Sequence, residues 1–416
     1  MDVVIERCAG IDIGKKLIVA AVRTPGAGRS GRVCEVRGFG GFARNLEALA
    51  DWLEAEGVTH VAMEATGVYW KPVWHVLEEH SFELMLVNPT QVRKIPGRKT
   101  DVIDAQWIGQ LLECGLLHGS FVSPEQVRDL RDLTRYRKRL VQDRARESLR
   151  VQKVLEDAGV KLASVATDVL GVSARAMLDG LIGGERDPDV LADMALGRMR
   201  PKRDLLRDAL AASRFRAHHS VMLSAHLTHI DHLDAGIGGL DAQIDELMTP
   251  FTQARDHLMT IPGVGRKAAE IIIAEIGTDM TQFPTAAHLA SWAGMCPGNN
   301  ESAGKRLSGR TRHGDPWLSG LVTECGWAAR RAKNTYLAAQ FWQIAKRRGQ
   351  QRAAVAVGHT ILTIAWHLLT DNTDYQELGH DRFERRRTPN PDRERQHLTT
   401  RLEALGYTVT LEPIAA

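Results

Sequence analysis

VVIERCAGIDIGKKLIVAAV, residues 3–22, decides the class of the first domain. The stretch is β-rich and is broken once, by the polar pair Lys15-Lys16, which predicts two strands joined by a tight turn. Ile11 and Ile13 flank Asp12 in the first strand, so with a two-residue side-chain period Asp12 faces away from them. An acid inside an apolar strand must be satisfied or bind a metal, because a bare buried carboxylate is costly. Working outward, residues 42–56 (FARNLEALADWLEAE) have helical spacing at Phe42, Leu46, Leu49 and Leu53. Residues 58–63 (VTHVAM) read as a short strand that delivers Glu64 at its end, 70–80 as a helix and 82–87 (FELMLV) as a strand. A polar link leads to a helix from Asp101 to about Cys114. Strands alternating with helices predict an α/β domain over residues 1–122.

The rest of the chain reads as helical. Residues 125–157 form a long Arg-rich helix, and 160–200, punctuated by Gly, Asp and Pro, read as short helices or a mobile insertion. Across 204–248, Leu223, Ile230, Ile237 and Ile244 stand seven apart, with Leu233, Leu240 and Leu247 as companions. That is the a/d seam of a coiled coil, which either pairs protomers or closes an antiparallel hairpin within one chain. Residues 123–251 are thus a helical coiled-coil and oligomerisation region, 252–371 an all-α domain closed by an apolar helix at 350–370, and 372–416 a charged tail.

Composition restricts the partner classes. With 44% hydrophobic and 25% charged residues the chain can bury a sizeable core. Its net charge of +3 announces no polyanion by itself, but residues 295–352 carry 11 Lys/Arg against 3 Asp/Glu, and 123–152 carry 9 against 5. A locally basic face on a near-neutral chain is the footprint of a nucleic-acid partner. The five cysteines are scattered without a CxxC pair, which argues against a disulfide framework or a zinc ribbon and suits a reducing cytoplasm. No apolar run reaches the ~20 residues of a membrane span, so no membrane partner is expected. The dense His218, His219, His226, His229 and His232 read as a solvated helix face.

Chemistry concentrates in four acids. Asp12 and Glu64 come from strands, and Asp101 and Asp104, three apart at a helix start, share one helical face, where the helix dipole favours negative charge. Taken singly, Asp101 reads as a helix cap and Asp104 as a surface residue. Together the four can form an all-oxygen site, which selects Mg²⁺ or Mn²⁺. Arg98 and Lys99 beside them are placed to meet a phosphate backbone. GIDIG also suggests the phosphate-binding turn of an actin-like sugar or acetate kinase, but that turn expects a Thr or Ser where Lys15-Lys16 stand.

GIDIGKK, MEATGVYW and VNPTQVRKIPGRKTDVIDAQWIGQLL resemble the N-terminal domain of the DEDD transposases of the IS-one-ten insertion-sequence family, which includes the Piv invertase. The resemblance implies an α/β RNase H-like (RuvC-like) fold, with Asp12, Glu64, Asp101 and Asp104 as its catalytic metal-holding acids. It implies a DNA transposase or site-specific recombinase acting as a homo-oligomer on donor and target DNA, with a structured guide RNA as partner.

Two C-terminal motifs complete the reading. IPGVGRKAAEII resembles a helix-hairpin-helix, in which Gly263 and Gly265 permit a tight turn and the helix from Arg266 and Lys267 offers free N–H groups to a phosphate. Further on, Lys305, Arg306, Arg310 and Arg312 crowd the loop around Ser302, where they favour a bound phosphodiester. By itself Ser302 reads as a turn former. Its surroundings resemble the family's C-terminal transposase domain, whose nucleophilic serine maps onto Ser302. Ala303 stands where Gly is commoner and a GNNE insertion precedes the serine, which leaves Ser308 as a second candidate. The alternative is a Holliday-junction-resolvase-like or RNase H-like nuclease in which water attacks.

Overall fold

The structure is a computed structural model. It describes residues 2–411 apart from 27–30, 90–91, 93–99, 212–213, 299, 309–310, 312 and 382–390, and gives only the backbone of 300–302, 306–308, 391–394 and 397. Arg98, Lys99, Arg310 and Arg312 therefore lie outside the described residues. The chain divides into two compact units, residues 1–122 and 123–416.

The first unit is built on β1 (Cys8–Ile13), β2 (Leu17–Pro25), β3 (Arg32–Gly40), β4 (His60–Glu64) and β5 (Glu83–Val87), with α1 (Ala43–Ala55), α2 (Trp70–Leu77) and α3 (Asp101–Glu113). The sheet order is β3-β2-β1-β4-β5. β1, β2 and β3 pair antiparallel, while β1, β4 and β5 run parallel. The turn at Lys15-Lys16 joins β1 to β2 as the polar break predicts. β3 is absent from the sequence reading: its alternation is weak and most of its residues are exposed or half-buried, so it carries little of the apolar signal that marks a strand.

The two faces of the sheet bury different sets. Ile11, Ile13, Ile18, Val61 and Met63 pack under Leu46, Leu49 and Leu53 of α1 and Val73 and Leu77 of α2. The opposite face, Cys8, Ala62, Val87 and Ala21, lies under Ala105, Ile108 and Leu112 of α3. Glu113, 2% exposed, ends α3 in ion pairs with Arg23 of β2 and Arg32 of β3. This pins the helix across the sheet, since a buried carboxylate is retained only when paired.

The second unit opens with α4 (Glu125–Asp157). There follow α5 (Leu162–Val165), α6 (Val172–Ile182), α7 (Pro188–Asp193), α8 (Arg203–Ala211) and α9 (Ala217–Leu247). α9 folds back antiparallel on α4, with Arg137 on Asp241, Arg144 on Asp234, Glu147 on His226 and Asp157 on His219. The heptad seam therefore closes a hairpin inside the chain: Leu223, Ile230, Leu233 and Ile244 are buried, Ile237, Leu240 and Leu247 half-buried. Residues 160–200 are the short-helix alternative. Leu162, Met177, Leu178 and Leu191 share one core with Val151 and Leu155 of α4 and Leu223 and Leu227 of α9.

The remainder holds α10 (Thr252–Met259), α11 (Arg266–Ile276), α12 (Ala286–Trp292), β6 (Asn300–Ser302), β7 (Lys305–Ser308), α13 (Pro316–Ala329), α14 (Tyr336–Arg348), α15 (Gln350–Asp371) and α16 (Pro391–Ala404). The β6–β7 hairpin corrects the all-α expectation for 252–371. It forms because Ala303 and Gly304 both take positive φ, the signs of a type I′ turn, which matches strand twist. α15 packs against α10, α12, α13 and α14. Among the described residues it is also a helix long and apolar enough to cross a membrane by length and composition, which corrects the reading that no run approaches that length.

α4 is clamped to the C-terminal helices through Glu275, which is 0% exposed. Arg135 donates Nε and Nη2 to its two carboxylate oxygens at 2.8 and 2.7 Å, and Nη2 also reaches Asp315 at 2.9 Å. Arg131 donates to the carbonyls of Ala274 and Glu275 at the end of α11. Burial pushes the Glu275 carboxyl up, against the pull of Arg135. Asp315 in turn caps α13, accepting from the N–H groups of Trp317 and Leu318. Buried Glu275, half-buried Asp315 and two arginines thus fix three helices at one point.

Candidate active site

The acids gather at one end of the first sheet. β1 and β4 pair in register Gly10↔Ala62 and Ile11↔Met63; one step further, Asp12 comes beside Glu64. Ile11 and Met63 point into the core under α1, so Asp12 and Glu64 share the opposite face, on strands about 4.8 Å apart. α3 covers that face and runs antiparallel to β1. The Cys8 thiol donates to the Gly109 carbonyl at 3.6 Å, burial having pushed the thiol up to about 11, while Gly10 lies against Ala105 and Gly109. Two residues beyond Gly10, about 7 Å along the strand, Asp12 is level with the first turn of α3, which carries Asp101 and Asp104.

Thr100 caps α3, its side chain accepting from the Ile103 N–H at 3.3 Å. Asp101 is therefore not the cap that it resembles when taken singly, and both helix acids are left in the first turn. Asp12, Glu64 and Asp104 are half-buried and Asp101 is exposed, so the cluster opens to solvent on one side. Four carboxylates are an all-oxygen donor set, which suits a hard divalent ion. Beyond Glu64, Tyr69 is exposed while Trp70 packs edge-on against Trp74, its ring 5.9 Å away.

Ser302 belongs to the second unit, at the end of β6, where it pairs with Lys305 across the turn. Lys305 is exposed, Arg306 lies in β7, and Ser308 pairs with Asn300. Ala303, the departure from the commoner Gly, takes φ +50°, a left-handed conformation that costs a residue with a Cβ about 1–2 kcal/mol. Ala303→Gly is therefore expected to stabilise the hairpin by roughly 0.5–1 kcal/mol. Amide exchange in 300–308 should slow by a few-fold; unchanged or faster exchange would contradict the turn assignment.

At the base of the hairpin, where Thr311 bridges to Pro297, a cavity of about 400 Å³ is lined by Gly294, Thr311, His313, Ser319, Thr323 and Gln351. Gly263 takes φ +93°, and a Cβ there would lie 2.6 Å from the Cys325 carbonyl oxygen, so this turn between α10 and α11 admits only glycine. Gly265 precedes α11 and faces open space. The cations after it are engaged: Arg266 pairs with Asp245 and Glu270 at 2.9 and 2.8 Å, and Lys267 with Asp241 and Glu270 at 2.8 and 3.0 Å. A phosphate at this turn meets free backbone N–H groups, but side-chain charge already balanced.

The histidines differ from the solvated face that their density suggests. His219 is 2% exposed and His226 half-buried, and both clamp α9 to α4, while His218, His229 and His232 are exposed. Ligating atoms of Asp157, His218 and His219 lie within 4.8 Å of one another, yet the hydrogen bonding favours a clamp over a metal site. His219 Nδ1 accepts from the Arg216 N–H at 3.0 Å, so in the neutral ring Nε2 carries the proton, facing Asp157 at 2.9 Å. A metal at Nε2 would drive that proton to Nδ1, against the Arg216 N–H.

Comparison with known proteins gives the site its context. Residues 9–159, which span all four acids, match a family described as a transposase, DEDD_Tnp_IS110. Residues 255–343, which span the turn at Gly263 and the β6–β7 hairpin, match the transposase IS116/IS110/IS902 family. The chain is 25% identical over 299 residues to the transposase for insertion sequence element IS1111A of Coxiella burnetii, covering 70% of this chain and 72% of that protein. It is 25% identical over 276 residues to the pilin gene-inverting protein of Moraxella bovis, covering 63% and 66%. A 43.6 kDa protein of insertion element IS110 from Streptomyces coelicolor is 30% identical over 139 residues, covering 33% and 34%. Two such domains in one chain, together with these relatives, place it among the IS110-family transposases, enzymes of DNA transposition and recombination.

Proposed function

We propose that the chain cuts and rejoins DNA strands at the ends and target of an insertion element, with metal-holding acids on the first unit and a nucleophilic serine on the second. The observation that carries this reading is the placement of Asp12 beside Glu64 on the sheet face covered by the first turn of α3. In this reading the first domain is RuvC-like, the α10–α11 turn is a helix-hairpin-helix, and Asp12, Glu64, Asp101 and Asp104 hold one or two divalent ions, Mg²⁺ by preference. Such ions supply Lewis-acid stabilisation of a phosphate's oxygens when bound.

Ser302 attacks the scissile phosphorus: the Oγ–P bond forms as one P–O bond to a sugar breaks, and the proton given up by the serine hydroxyl ends on the departing sugar oxygen. The phosphoserine link conserves the bond for rejoining, because the reverse attack by another strand's hydroxyl releases the serine. Lys305 and Arg306, with Arg310 and Arg312, balance the phosphate's charge. The family resemblance supports a homo-oligomer in which acids and serine meet across protomers, and a structured guide RNA that selects donor and target DNA. Arg98 and Lys99, and the turn at Gly263 and Gly265, are assigned to the nucleic-acid backbone.

The test is a denaturant-resistant protein–DNA adduct on a substrate carrying the element's ends. Wild type is expected to form it and Ser302→Ala to lose it while still binding DNA. Asp12→Ala is expected to lower strand transfer by about 100-fold or more. An adduct that persists in Ser302→Ala would move the nucleophile to another residue, Ser308 first. Cleavage by wild type with no adduct would replace the serine mechanism with attack by water.

A further inference from the structure

Many arginines of the second unit are neutralised within the chain. Arg135, Arg137, Arg144, Arg175, Arg207 and Arg266 all have carboxylate partners. One region breaks that pattern. From Cys325 to Thr370 the sequence contains no Asp or Glu at all. Within it Arg331, Lys333, Lys346, Arg347, Arg348 and Arg352 are exposed, and among the described residues none forms an ion pair.

These cations are brought to one end of the helical unit. Arg330 donates to the Gln350 side chain at 3.0 Å, which ties the end of α13 to the α14–α15 junction at Gly349. The helix dipole accounts for part of the set, since Lys346, Arg347 and Arg348 occupy the last turn of α14. It cannot account for Arg352, in the first turn of α15, where a cation is disfavoured. Like charges held together without internal partners gain from an external anion. The same end also displays an aromatic: Trp342 is 46% exposed and stands four residues before Lys346, on the same helical face. Cations beside an exposed ring match the backbone-plus-stacking recognition of unpaired nucleic acid.

We infer that the α13–α14–α15 end is a binding surface for a single-stranded or unpaired nucleic-acid segment. Lys346, Arg347, Arg348 and Arg352 meet its phosphates and Trp342 stacks on a base. Lys346–Arg352 lies beyond the matched family segment 255–343. Gln351, on the same turn, lines the cavity at the base of the Ser302 hairpin, so the surface leads toward that hairpin. The inference rests on the reading of the chain as a nucleic-acid recombinase but is independent of Ser302 and of the acids.

The full chain and the variant Lys346→Gln/Arg347→Gln/Arg348→Gln/Arg352→Gln are compared for binding of labelled single-stranded DNA, single-stranded RNA and duplex DNA over a salt series. The variant is expected to melt at an unchanged temperature, bind single strands at least ten-fold more weakly, and show a log–log salt slope smaller by about 2–3. Trp342→Ala is expected to weaken single strands about five-fold or more and duplex DNA hardly at all. The DNA and RNA arms identify which strand the surface takes. If wild type binds nucleic acid and the fourfold variant keeps its affinity and slope, the inference fails and the recombinase reading stands. If wild type binds no nucleic acid, both fail. If the variant loses binding only to vesicles of anionic phospholipid, the surface is a membrane contact and the inference is overturned.

Discussion

Gly10→Ala is expected to destabilise the first unit by roughly 3 kcal/mol, the upper end of the range for overpacking, and to lower strand transfer by about 100-fold. A Cβ on Gly10 would lie 2.1 Å from the Gly109 nitrogen and 2.4 Å from the Ala105 oxygen. Both are backbone atoms of α3, so no rotamer change relieves the overlap and the helix itself must move by about an ångström. The helix carries Asp101 and Asp104, whereas Asp12 and Glu64 stay with the sheet, so the displacement separates the two halves of the acid cluster. Misplacement on that scale is enough to cost two orders of magnitude in rate. Urea unfolding gives the first number and a strand-transfer assay the second, with DNA binding as the control that the second unit is intact. The contrasting substitution is Gly239→Ala in α9, where a Cβ meets nothing within 4 Å and helix propensity predicts a gain of about 1 kcal/mol. If Gly10→Ala leaves both stability and activity unchanged, α3 does not sit on β1 as described.

Glu275→Ala is expected to cost about 3–5 kcal/mol, the penalty for breaking a buried ion pair from one side. The substitution leaves Arg135 with two donors that lose their acceptors, next to the already paired Asp315, and leaves Arg131 near an uncompensated charge. Since α4, α11 and α13 meet there, the loss should appear as unfolding of the C-terminal helices as well as a lower midpoint. Trp317, over which the Arg135 and Arg139 guanidinium groups lie at 5.5 and 5.6 Å, provides a local fluorescence signal. The paired replacement Arg135→Met/Glu275→Leu should recover most of the loss, because removing both charges eliminates the desolvation penalty together with the attraction. A single mutant within 1 kcal/mol of wild type would mean that Glu275 is solvated and the clamp is not closed.

Several features were legible because they are local. The period of two around Asp12, the break at Lys15-Lys16 and the helical spacing of Leu46, Leu49 and Leu53 each report on a few neighbouring residues, and the elements found there follow them. The heptad from Leu223 to Ile244 was equally legible, but it reports only that one face of a helix is apolar. Whether α4 of the same chain or a second protomer covers that face depends on the loop and on charges remote in sequence, Arg137 with Asp241 and Arg144 with Asp234. β3 escaped because an edge strand with little burial has little apolar pattern to read. The β6–β7 hairpin escaped because Ala303 conceals the positive φ that a glycine would have advertised.

By itself the sequence determined the alternation of elements, the inventory of four acids and one serine in the order that the resemblance requires, and an acid-free basic stretch from 325 to 370. All of these follow from residue type and spacing. Only the tertiary structure decided which acids become neighbours. The parallel register of β1 and β4 sets Asp12 beside Glu64, and the glycine contact at Gly10 lets α3 come close enough to bring its first turn to them. It also decided which cations are spent inside the fold, as Arg266 and Lys267 are on Asp241, Asp245 and Glu270, and which remain exposed, as Lys346 and Arg352 do. Charge is a property of a residue, but its availability depends on what the fold packs against it.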